Sequence, residues 1–184
     1  MLIARRSLKG AARGPKIPFI TTVRKIGAVS RGDELREVMR RYPVGISVVT
    51  VDLEGERLGL TVASLVPLAL EPPLVGISIA QQAALHELLR AAGGFAVSLL
   101  GAEQRDLAQH FARGVPPIVL WQGIEVLDGR RGPLIAGALG WIECELSAEH
   151  EAGDHTLFVG LVERSQPGEQ GAPLLRLGGD YDAP

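Results

Sequence analysis

The run "GALGWIECELSAEHEAGDHTLFVGLVERSQ", residues 137–166, constrains the fold more than any other part of the chain. Two long stretches, apolar residues interleaved with polar ones, flank "EAGD", whose glycine and aspartate suit a tight reversal. That pattern specifies a long antiparallel β-hairpin. A doubly wound parallel sheet would need long helices alternating with its strands, and the chain does not supply them.

The remaining segments are short. "GDELREVMRRYPVG" predicts an opening helix, with Asp33 as N-cap and Leu35, Val38, Met39 and Tyr42 at helical spacing before Pro43 and Gly45 stop it. "GISVVTVD" reads as a strand, "LEGE" as a turn, and "RLGLTVASLVPLAL" as a continuing strand. After Pro72 and Pro73 come the strand "LVGISIA", the helix "AALHELLRAAGG" with glycines at its end, the strand "FAVSLL" and the amphipathic helix "AEQRDLAQHFARG". Residues 114–133 are looser, with Pro116, Pro117, Trp121 and Gly123. Many short strands broken by two helices make a mainly β domain with helical decoration, of the antiparallel barrel kind.

Composition limits the functional classes. A chain of 184 residues, 46% hydrophobic, is long enough for one domain with a buried core. No stretch of eighteen apolar residues occurs, so no membrane-spanning helix is expected. The single cysteine, Cys144, lies in an alternating run and reads as a packed strand residue; one unpaired cysteine fits a reducing cytoplasm.

Charge is unevenly spread. Residues 1–32 carry eight basic and no acidic residues, including every lysine, while the rest carries eleven basic against twenty-one acidic. A nucleic-acid or membrane-surface arm and a transit-like peptide are two ways to read this segment. Its lack of periodicity and its Gly and Pro content favour a disordered extension ahead of a domain at 33–184. Neither a nucleic acid nor a membrane is an expected partner of that acidic domain.

Common catalytic signatures are missing. There is no G-x-G-x-x-G after a strand, no Walker loop, no nucleophile elbow and no zinc-type Cys/His cluster. Of four histidines, His86 and His110 fall on amphipathic helices, where packing or surface roles are the default, and His150 precedes the hairpin turn as a solvated residue. His155 differs: it follows Asp154 at a strand mouth, where an imidazole can bond or protonate a ligand near neutral pH. A turn-stabilising Asp-His pair is the alternative.

"MRRYPVGISVVT", "GLTVASLVPLALEPPLVGISI", "LHELLRAAGGFAVSLL", "RDLAQHFA", "GALGWIECEL" and "GDHTLFVGLVE" follow one another in that order. The series resembles the flavin reductase-like family over about residues 33–181, and "PLLRLGGDY" is similar to its closing strand, with Gly178 and Tyr181 as the matching glycine and tyrosine. The resemblance implies an FMN-binding, Greek-key antiparallel split barrel that forms homodimers. It also implies an NAD(P)H:flavin oxidoreductase that reduces FMN or FAD and delivers it to a partner monooxygenase. Thr61, Val62, Ala63 and Ser64 would line the flavin, with hydroxyls from Thr61 and Ser64 and backbone from Val62 and Ala63; ordinary strand-face polarity is the other reading of those hydroxyls.

The segment implied to grip the flavin phosphate departs from the family pattern. "AQQAALHELL" has Gln81 and Gln82 where a basic residue is usual, and Ala83 and Leu85 where hydroxyls are usual. Two glutamines and a helix N-terminus near Ala83 are weaker donors to a group of about two negative charges. His155 would position NADH or NADPH, with Asp154 orienting it. Hydride transfer between two cofactor rings needs no protein nucleophile, so the missing triad does not count against activity. A non-enzymatic flavin-binding split barrel and an FMN-bound electron-transfer flavoprotein are the alternatives.

Overall fold

The computed structural model describes residues 30–114 and 116–184, so the expected extension at 1–32 falls almost wholly outside the described residues. The first helix, α1 (Arg31–Met39), is capped by Ser30, whose hydroxyl accepts from the Asp33 N–H at 3.1 Å. Asp33 is therefore not the N-cap expected from sequence; it lies in the first turn, where its carboxylate favours the helix dipole. A three-stranded sheet forms from β1 (Val44–Gly45), β11 (Leu175–Leu177) and β12 (Asp180–Asp182) in the order β1-β11-β12.

The main sheet contains β2 (Ser47–Leu53), β3 (Glu56–Val62), β4 (Val66–Leu70), β5 (Pro73–Ala80), β6 (Gly94–Leu99), β9 (Gly140–Ala152) and β10 (His155–Pro167). All neighbours are antiparallel, in the order β3-β2-β6-β9-β10-β5-β4. Strands β5 and β6 are consecutive in the chain yet separated by β9 and β10, and α2 (Ala84–Ala92) makes the crossing, which is Greek-key connectivity. Gly93 ends α2 at φ 65°, as a left-handed C-cap requires.

The hairpin that opens the sequence argument is present. Strands β9 and β10 pair from His155↔Ala152 to Pro167↔Gly140, with the turn at Gly153 and Asp154 and two register shifts that bend the pair. The "LEGE" turn also holds, with Glu54 at φ 53° and Gly55 at φ 89°, the paired positive values of a tight hairpin turn. One expectation fails. Residues 57–70 are not one strand but β3 and β4, which lie at opposite edges of the main sheet and are joined by Ala63–Leu65.

Among the described residues the core is aliphatic, with Phe95, Phe111 and Phe158 buried in it. Ser47 to Val51 of β2 are all buried because both faces of that strand are covered, so they form an unbroken run rather than an alternation. Helix α3 (Arg105–Ala112) lies over β3, where Gly59 leaves room for the Phe111 ring; a Cβ there would stand 2.6 Å from the ring. The looser stretch holds α4 (Pro117–Leu120) and a small hairpin of β7 (Val126–Leu127) and β8 (Leu134–Ile135). Cys144 is fully buried, and burial pushes its thiol up to about 12. It is a packing residue, with almost no thiolate at neutral pH.

Candidate functional site

The link between β3 and β4 is the centre of the site. Within the described residues, Ala63, Ser64 and Leu65 make no backbone–backbone hydrogen bond, although all three are half-buried. Half-buried peptide groups outside a ladder need a side chain, water or ligand as partner. The reason lies in the register. Strand β4 pairs with β5 as far as Val66↔Gly76, and the chain then leaves the sheet. Two residues further along, the Ser64 hydroxyl takes over: it donates to the Ser78 carbonyl and accepts from the Ser78 N–H, both at 3.0 Å. A single side chain thereby ties the chain leaving β3 to β5, next to the far edge of the sheet. The sheet is drawn round into a barrel but left split, with three half-buried residues free of backbone pairing at the seam.

Along β5, Ser78 and Ala80 share one face, since Ile77 and Ile79 point into the core. Ala80 pairs with His155, and Ser78 with Leu157. Strand β10 alternates likewise, with Thr156 and Phe158 buried and His155 and Leu157 half-buried on the outer face. The seam at Ser78 and the imidazole are thus two residues and one strand apart, roughly 7 Å along and 5 Å across. The Gln81 N–H donates to the Asp154 carbonyl at 3.0 Å, which holds the exit of β5 against the hairpin turn.

His155 Nδ1 lies 2.7 Å from Asp154 Oδ1, and within the described residues Nε2 has no partner. The hydrogen bond from His155, then its charge, holds the Asp154 carboxyl below its ordinary range. The pair directs Nε2 toward whatever occupies the adjoining surface.

Gln81 and Gln82 are exposed and begin the turn into α2. Ala83 is the N-cap but has no side chain to cap with, so the first N–H groups of α2 face outward without a side-chain acceptor. Gln82, Ala83 and Leu85 border a cavity of about 390 Å³ whose far wall is Leu58, Gly59 and Leu60 of β3 and Phe111 of α3. Among the described residues, no charged side chain lines it. The same β3 wall continues through Thr61 and Val62 to the seam.

The sequence-derived residues are therefore largely brought together. Ala63, Ser64, Gln81, Asp154 and His155 adjoin through Ser78 and Ala80, and Gln82 and Ala83 flank the neighbouring cavity. Thr61 stands apart. Its hydroxyl donates to the Ala108 carbonyl at 2.7 Å and so latches β3 to α3, leaving only oxygen lone pairs for a ligand. Ser64 likewise spends its proton on Ser78, and Val62 is buried in the core, so the donors at the seam are backbone N–H groups rather than hydroxyls. The arrangement suits a planar ring bearing carbonyls and acceptor nitrogens, which peptide N–H groups can meet.

One contributor was not singled out by sequence. His86 is 3% exposed, with Nε2 2.8 Å from Thr156 Oγ1, Nδ1 2.8 Å from Glu87 Oε1 and its ring edge-on to Phe158 at 5.1 Å. It pins the first residues of β10 beside His155. Its position between Leu85 and Leu89, on the stripe α2 buries, was the available signal. His110 is bonded to the Leu120 carbonyl and His150 is exposed, as their helical and turn positions suggested. Among the described residues no cluster of three metal-ligating side chains occurs, and no helix is long and apolar enough to cross a membrane.

Comparison with known proteins identifies this architecture. The family pattern described as "Flavin reductase like domain" matches residues 39–183. The reductase component of 4-hydroxyphenylacetate 3-monooxygenase from Thermus thermophilus is 38% identical over 143 residues, covering 78% of this chain and 90% of that protein. An NADH-dependent FAD reductase from Streptomyces globisporus is 41% identical over 133 residues, 70% of this chain and 72% of the relative. The solved NADH:FAD oxidoreductase of Streptomyces globisporus superimposes with a TM-score of 0.79 at 35% identity, over 86% of this chain and 98% of the other. By sequence and by fold, the chain belongs to the flavin reductase-like family.

Proposed function

We propose that this protein reduces FMN or FAD with NADH or NADPH as hydride donor and releases the reduced flavin to a flavin-dependent monooxygenase. The observation that carries the reading is the unpaired Ala63–Leu65 backbone, fixed by Ser64 to β5 and lying close to the free Nε2 of His155. In this reading the seam holds the pyrimidine edge of the flavin ring, and the half-buried Ala80 and Leu157 offer an apolar surface beside it. His155, held by Asp154, orients the nicotinamide carboxamide, and the site works by alignment and exclusion of water. Bound there, a flavin would supply the hydride acceptor, and the donor, having lost its hydride, would depart as oxidised nicotinamide nucleotide, with the accompanying proton drawn from solvent.

Gln81, Gln82 and Ala83 give the phosphate end only amides and an uncapped helix terminus, which supports recognition through the ring. The same segment keeps a second reading alive, a protein that binds flavin without turning it over. A homodimer acting in the cytoplasm completes the proposal, with residues 33–184 as the working domain and the basic extension dispensable.

Oxidation of NADH and NADPH, followed with riboflavin, FMN and FAD in turn beside a flavin-content measurement, tests this. Turnover only on adding flavin, with affinities for the three flavins within roughly tenfold, is expected. His155→Ala should lower kcat/KM by roughly 10- to 100-fold with an unchanged melting temperature. Flavin binding without any nicotinamide oxidation would leave the binding-protein reading standing and end this one.

A further inference from the structure

A second cavity, of about 360 Å³, lies between the end of α1 and the β11–β12 hairpin. None of the residues assigned to the flavin groove borders it. Arg36 of α1, Arg40 at its C-cap and Arg176 of β11 border it, with Met39 and Tyr42 supplying an apolar, partly aromatic wall. Beyond residue 32 the chain holds eleven basic residues against twenty-one acidic, yet three arginines share this one concavity and no acidic residue lines it. A solvated face would disperse like charges. Three cationic residues bordering one hollow raise a positive potential there that a bound anion relieves.

The present partners of these arginines are weak competitors. Arg36 pairs with Asp33 at 2.7 Å and Arg40 with Glu37 at 3.5 Å, both exposed i,i+3 pairs on one helix turn. Among the described residues no carboxylate lies within 4.0 Å of Arg176. A fixed guanidinium fork matches phosphate oxygens, and a phosphate would replace one exposed carboxylate contact by several charge-assisted bonds.

The wall adds a second requirement. Tyr42 and Met39 remain 59% and 47% exposed beside the arginines. The Gly178–Gly179 turn, at φ 66° and 101°, is held to α1 by the Gly178 N–H donating to the Arg40 carbonyl at 2.8 Å. It contributes no side chain to fill the space. A phosphate alone leaves the apolar wall wet, whereas a planar base stacked on Tyr42 covers it. The volume falls near the lower end of small-molecule sites, about 300–1,000 Å³, and suits a mononucleotide rather than a whole dinucleotide. The geometry points to a binding site for an adenine mononucleotide group, its phosphate on Arg36, Arg40 and Arg176 and its base on Tyr42 and Met39. That group can belong to the adenylate half of the nicotinamide donor or to a free adenine nucleotide.

Calorimetric titration of the full chain with 5′-AMP, adenosine and inorganic phosphate at low salt reads this without relying on flavin turnover. Saturable AMP binding is expected, with adenosine and phosphate each weaker by about tenfold or more. Arg176→Gln and, separately, Arg36→Gln should weaken AMP about tenfold while riboflavin affinity and the melting temperature stay unchanged. The KM for NADH in Arg176→Gln separates the sources: a rise assigns the site to the donor's adenylate, and a constant KM alongside weakened AMP binding assigns it to a free nucleotide. No AMP binding at millimolar concentration, indifference to both substitutions, phosphate binding as tightly as AMP, or displacement of AMP by riboflavin would overturn the site.

Discussion

Asp154 and His155 show how two adjacent residues divide one task. The imidazole engages the carboxylate through Nδ1, which leaves Nε2 free, and the hydrogen bond in return keeps the exposed carboxyl ionised. The sign of the linkage follows from the lowered value. A depressed acid contributes fully above its ordinary 3.8 and loses its contribution as pH falls through the lower, folded value. An NMR titration of the Asp154 side-chain carbon should therefore show a midpoint below 3.8, moving up to the ordinary range in His155→Ala. A midpoint that is ordinary in the wild type would mean that the two side chains do not meet in solution. This pair was legible in sequence because it sits at a turn tip before an alternating strand, where the local pattern fixes its position. His86 was legible only as a packing residue of α2, because its bond to Thr156 joins positions seventy residues apart in the chain.

The break between β3 and β4 belongs to the element scale. Residues 57–70 carry apolar residues throughout, with no glycine between Gly59 and Gly76, so nothing local marks where one strand ends. The division is imposed at long range: β3 must pair with β2 and β4 with β5, and these lie at opposite edges. By contrast the β9–β10 hairpin, the β2–β3 turn and the α2 C-cap each carry their own glycine signal and could be read directly. Ser64 is where the two halves are reconciled, since its hydroxyl stands in for the ladder partner that Ser78 would otherwise lack. Ser64→Ala leaves the Ser78 N–H and carbonyl unpaired at a half-buried position. The expected cost is about 1–3 kcal/mol, seen as a melting temperature lower by roughly 2–10 °C, together with weaker flavin binding as the seam loosens. An unchanged melting temperature would show that water satisfies Ser78 equally well, and the seam would then need another brace.

At the scale of the whole molecule, the described residues of a single copy leave apolar surface exposed. None of the nine residues of α1 is buried, and Leu35 and Val38 are 62% and 65% exposed. On the edge strand β4, Leu70 is 84% exposed. A nine-residue helix has little stability without a surface to pack on, and an open apolar edge strand invites pairing. The helical spacing of Leu35 and Val38 announced an apolar face in the sequence, beside the Met39 and Tyr42 wall of the arginine-bordered hollow, but periodicity says only that a face is to be covered, not by what. The proposed second copy would meet the need with the same surface on both partners, as a two-fold interface of about 800 Å² per chain requires. Sedimentation velocity should accordingly give twice the chain mass of 19.6 kDa. A Leu35→Glu and Val38→Glu double variant should dissociate at micromolar concentration, because two carboxylates per chain would have to be buried without partners. If Leu70→Glu dissociates the dimer and the α1 variant does not, the contact runs through β4. A wild-type monomer at every concentration would mean that α1 is held by this chain alone, and the homodimer would have to be abandoned.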